Sequence, residues 1–146
     1  MNKNIPVMFQ GSFKGEAFWS PIFSAETNLV FDIHNYYFQG RAACPSNVTE
    51  LIYIDTVNSA GDGKFPTFVG ERSVQTEIAN TLSSRAKTLQ TGLVAWKKYT
   101  RGSAYWTTKF NGNDTVDGEG TQADYWNYET FIDLGYTKST SEAVSC

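Results

Sequence analysis

Residues 73–99 read SVQTEIANTLSSRAKTLQTGLVAWKKY, and the architecture expected of the chain follows from how they are taken. The apolar side chains Val74, Ile78, Leu82, Ala86, Leu89, Leu93 and Trp96 recur at intervals of four and three. That spacing lines one face of a helix. Ser73 is a good N-cap. Glu71 and Glu77 lie near the start, and Lys97, Lys98 and Arg101 near the end, each sign matching the helix dipole there. Gly102 stands where a left-handed C-terminal cap belongs. Gly92 is the one interruption, worth about 1 kcal/mol relative to Ala. One amphipathic helix over about residues 73–100 follows.

Working outward, residues 5–13 alternate apolar and polar, the period of a half-buried strand. Residues 18–23 form a second short strand, which Pro21 confines to a sheet edge. The strongest strand is 29–39, with Leu29, Phe31 and Ile33 on one face and Asp32 and His34 on the other. Leu51 to Thr56 contains Leu-Ile-Tyr-Ile and suits a central strand. Residues 57–70 form a Gly-rich connection, and 103–110 and 125–134 give two more strands. Short connections favour antiparallel neighbours. The expected fold is therefore α+β in two layers: a mainly antiparallel sheet of about six strands, with the long helix packed across it. Residues 1–146 make one domain, with 138–146 as a surface tail.

Composition narrows the function classes. At 40% apolar and 18% charged the chain is globular, and a net charge of −3 argues against a nucleic-acid footprint. No apolar run reaches the 18 residues of a membrane helix, and residues 1–10 lack the apolar region of a secretory signal. An intracellular or virion location is favoured. Cys44 and Cys146 are free thiols or a disulfide pair, depending on compartment.

No metal or cofactor is expected. Motifs of serine hydrolases, phosphate-binding loops, dinucleotide folds and zinc proteases are missing. His34 is the single histidine and reads as a surface or satisfied half-buried residue. Asp114, Asp117 and Glu119 sit in a polar segment, 111–119, that reads as a solvated turn rather than a calcium loop. The surplus lies in aromatics, 15% of the chain. Tyr36, Tyr37, Tyr125 and Trp126 are the contact residues expected on a sheet face or edge. The function that follows is a non-enzymatic structural or interaction protein. It is a self-associating assembly subunit, such as a virion, tail, neck or surface-filament component, with copies of itself or other assembly proteins as partners. The alternative is a module binding a glycan or small apolar ligand on the same face; an enzyme of unknown class comes third.

Overall fold

The structure, a computed structural model, describes residues 4–138. Strands β1 (Val7–Gln10), β2 (Leu29–Tyr37) and β3 (Thr67–Thr76) form one open sheet in that order, and both pairings are parallel. The helices are α1 (Glu16–Trp19), α2 (Val48–Ser59), α3 (Arg85–Tyr99), α4 (Gln122–Trp126) and α5 (Tyr128–Asp133), with 3-10 turns at Ser20–Ile22 and Leu82–Ser84. The expected six-stranded antiparallel sheet under one long helix is therefore wrong. Among the described residues there are three parallel strands and five helices, and parallel neighbours require crossover connections.

The error begins in residues 73–99. Intervals of four are multiples of two, so Val74, Ile78 and Leu82 satisfy a strand period as well as a helical one. Residues 73–76 belong to β3, and only residues 85–99 of the stretch are α-helical. Between them Ala79 takes a left-handed φ of 53°, and Ile78 and Leu82 are exposed. The run Leu51 to Thr56, read as a strand, is helical because the buried set is Val48, Ile52 and Thr56 at spacing four. Residues 18–23 and 125–134 are also helical or turned rather than extended. For α4 the signal was Thr121 three residues before Asp124, a reciprocal capping box. Residues 101–106 run along the outer edge of β3, with Arg101 N donating to Thr67 O, Ala104 N to Val69 O and Trp106 N to Arg72 O, each at 2.8 Å. They form no regular strand, apart from a parallel bridge of Ser103 to Val69.

Tyr37 of β2 and Val69 of β3 pack with Val48 and Ile52 of α2 and with Ala95 and Trp96 of α3. Both helices thus cover the same face of the sheet. A sequential strand order with crossovers on one face is singly wound. Leu89 joins Val74, Tyr125 and Phe131 in a second cluster, and Leu29, Phe31 and Phe65 make a third. Gly92 has a packing reason. A Cβ there would lie 3.2 Å from a terminal nitrogen of the buried Arg72, whose Nε donates to Ser103 Oγ at 2.9 Å. The tail at 139–146, and Cys146 with its possible disulfide, lie outside the described residues. Cys44 forms no disulfide among the described residues. Among the described residues no helix is long and apolar enough to cross a membrane.

Candidate active site

Alternation along β2 sends Phe31, Ile33 and Tyr37 toward the buried clusters and Asp32, His34 and Tyr36 to the opposite face. Strict alternation along β3 would send Glu71 inward with Thr67 and Val69. A register shift prevents this: Ile33 pairs with Val69, but His34 pairs with Glu71, so Gly70 is an extra residue. A bulge of this kind reverses side-chain parity. It brings Glu71 onto the face of His34 and Tyr36. Glycine leaves room for Asp32: a Cβ at position 70 would fall 2.0 Å from Asp32 Oδ1 and make the carboxylate or the bulge shift.

The four side chains form one polar cluster. Tyr36 donates its hydroxyl to Glu71 Oε2 at 2.7 Å. The His34 ring lies between two carboxylates, with Nδ1 3.3 Å from Glu71 Oε2 and Nε2 3.3 Å from Asp32 Oδ2. Asp32 Oδ1 is buried with no hydrogen-bond partner among the described residues. Burial, reinforced by the acceptor Glu71, pushes the Tyr36 phenol far above its ordinary range, so Tyr36 stays a donor at any working pH. Two carboxylates that share one imidazole, one of them also held by a tyrosine, suit acid–base or nucleophilic work. Among the described residues no group of three or more His, Cys, Asp or Glu could hold a metal ion.

The four aromatic residues expected at a contact surface are divided by burial. Tyr37 is 2% exposed and Tyr125 1%, each inside a core cluster, so neither presents a ring to solvent in this chain. Tyr36 and Trp126 come together, with centroids 5.5 Å apart and planes 20° from parallel. Asp32, Glu71 and the part played by His34 were missed. The spacing Asp32-x-His34-x-Tyr36 on one strand face is the legible signal, whereas Glu71 reads in the sequence as a charge at a helix start. Segment 111–119 is not a free solvated turn. Asp117 Oδ1 accepts Ala79 N at 2.6 Å, Glu119 Oε2 accepts Leu82 N at 2.9 Å, and Asn80 Nδ2 donates to Asp117 O at 3.0 Å. Both carboxylates thus satisfy backbone amides.

No protein-family model matches the chain, and no curated protein matches it. Solved structures do. The rutinosidase from Aspergillus niger is 50% identical, with a TM-score of 0.92 over 94% of this chain and 38% of that one. The protein called AoRut is 54% identical, with a TM-score of 0.89 over 92% of this chain and 37% of that one. The chain therefore spans well under half the length of the solved proteins it matches. At half identity over nearly all of this chain, the match is to part of a rutinosidase. It overturns the expectation of a non-enzymatic, self-assembling virion or filament component. That expectation counted one histidine and scattered carboxylates; it could not see a bulge bring Glu71 to His34 and Tyr36.

Proposed function

We propose that this chain carries the nucleophile of a glycosidase that cleaves rutinoside-type substrates. The observation that supports it is the Tyr36–Glu71–His34 cluster, in a chain half identical to a rutinosidase. Singly wound parallel strands, with His34 and Tyr36 in the carboxyl half of β2, suit a sector of a (β/α)8 barrel.

In this reading Glu71 attacks the anomeric carbon. Tyr36 and His34 both hold Oε2, so Oε1 supplies the electron pair. As the new C–O bond forms, the bond to the aglycone breaks, and the aglycone oxygen takes a proton from a general acid. Water then attacks the glycosyl ester, gives its proton to that same group, and Glu71 leaves as carboxylate. Such pairs of carboxyl groups stand about 5–5.5 Å apart with the sugar between them. Asp32 does not suit the acid role, because the His34 imidazole fills the space between it and Glu71. The acid therefore belongs to a group outside this cluster. Tyr36 and His34 fix the orientation of Glu71, and a fixed nucleophile saves reorganisation at the moment of attack.

The test is hydrolysis of an aryl rutinoside by the full-length protein, followed by sugar release and aglycone absorbance. Glu71→Gln is expected to abolish it with the fold intact. A wild-type protein that releases no sugar, or an active Glu71→Gln, would sink the reading.

A further inference from the structure

We infer that Trp126 is a positioning residue for Glu71, an inference that rests on the glycosidase reading above: braced by Gln75, its indole holds the Tyr36 ring so that the hydroxyl stays on the carboxylate. Tyr36 occupies a slot between two rings. Trp126 stacks on it at 5.5 Å, and Phe38 meets it edge-on at 5.3 Å and 68°. Phe38 also touches Trp126, at 5.2 Å, which closes the slot behind the tyrosine. A ring confined in this way has one staggered conformer left, so its hydroxyl has one direction.

Trp126 is itself held. Its indole N–H donates to Gln75 Oε1, and its backbone carbonyl accepts Thr107 N at 2.8 Å. The helix that ends in it starts from the Thr121–Asp124 capping box. Gln75 lies four residues beyond Glu71 on β3. One strand therefore carries both the nucleophile and the brace for the group that orients it. Nothing in this arrangement needs the indole to touch substrate.

The experiment compares wild type, Trp126→Leu, Trp126→Phe, Gln75→Leu, Tyr36→Phe and the Trp126→Leu/Tyr36→Phe double variant of the full-length protein on an aryl rutinoside. Loosening Tyr36 is expected to cost about tenfold or more in kcat, as misplacement near a reacting centre does. KM is expected to stay within about twofold, the signature of an interaction lost in the transition state. Trp126→Phe, which keeps a ring, restores most of the rate, and the double variant is no slower than Tyr36→Phe. Losses that multiply in the double variant, or a raised KM with kcat unchanged, overturn the inference. Should Trp126→Leu fail to fold, Gln75→Leu decides by the same criteria. An activity-independent arm separates this inference from the glycosidase reading. With tyrosines labelled at Cζ, the Tyr36 resonance is expected to shift in Gln75→Leu. An unmoved resonance overturns the positioning role even in an active enzyme. A wild type that cleaves nothing yet shows the shift defeats only the glycosidase reading.

Discussion

The hydroxyl of Tyr36 donates to Glu71 Oε2 across 2.7 Å and ties β2 to β3 on the face turned away from α2 and α3. The donor cannot follow the pH, because burial keeps it protonated. Removing only that hydroxyl isolates the bond. A hydrogen bond to a charged partner contributes about 1.5–3 kcal/mol, so Tyr36→Phe is expected to lower kcat/KM by about ten- to a hundredfold. Stability should change little, since the stacked ring remains. Unaltered kinetics would show that Glu71 does not need this donor.

Gly70 sets the face on which Glu71 stands. Gly70→Ala would drive a methyl to 2.0 Å from Asp32 Oδ1, so the bulge or Asp32 must move. Overpacking of this kind costs about 1–3 kcal/mol. The expected result is a folded protein with a lower melting temperature and a larger loss of activity than the stability change explains. Full activity in Gly70→Ala would mean that the bulge has slack that its geometry does not show.

Glu16, which lines the same cavity as His34, is 1% exposed, and its Oε1 is buried without a partner among the described residues. Burial holds its carboxyl above the ordinary value of 4.5, against hydrogen bonds from Ser20 and the Asp62 amide that pull it down. The folded chain thus binds this proton more tightly than the unfolded chain. The stabilisation from the protonated form is complete below the unfolded value and is lost as pH rises through the folded one. Glu16→Gln mimics the protonated form, so it should melt with wild type at about pH 4 and above it at about pH 7. A gap between the two melting temperatures that narrows as pH rises contradicts the assignment.

Leu89 and Leu82 separate the observed fold from the one the apolar spacing implied. Leu89 is fully buried, whereas Leu82 is 36% exposed on the 3-10 turn before α3. Leu89→Ala is expected to cost about 2–5 kcal/mol, as a cavity in a core does. Leu82→Ala should cost about 0.5 kcal/mol or less, as surface changes do. On a single helix from residue 73 both would be costly. Denaturant midpoints of the two variants decide the matter.

What could be read from the chain was local. The strand at 29–39 is observed at Leu29–Tyr37, the one at 5–13 contains β1, and the last part of the long stretch is α3. Each has a strong period or cap of its own. Parallel pairing is not legible, because it depends on crossovers whose helices read as strands in the sequence. Leu51–Ile54 shows why: four consecutive apolar residues carry neither a period of two nor one of 3.6. The site was hidden for another reason. Glu71 reaches His34 only because Gly70 is unpaired against β2, and pairing register leaves no mark in composition. Tyr36 and Trp126 were singled out for their chemistry. Their stacking is a tertiary fact, made by α4 returning to β2.

The central claim is that Glu71 forms a bond to the sugar, and it can be tested by trapping that bond. A 2-fluoro aryl glycoside carrying the substrate's sugar slows both formation and hydrolysis of a glycosyl ester, because fluorine destabilises the oxocarbenium-like transition states. Incubated with the full-length protein and digested, it should leave one added glycosyl mass on the peptide containing Glu71, and none in Glu71→Gln. An unmodified Glu71 peptide beside a labelled carboxylate elsewhere would contradict the account.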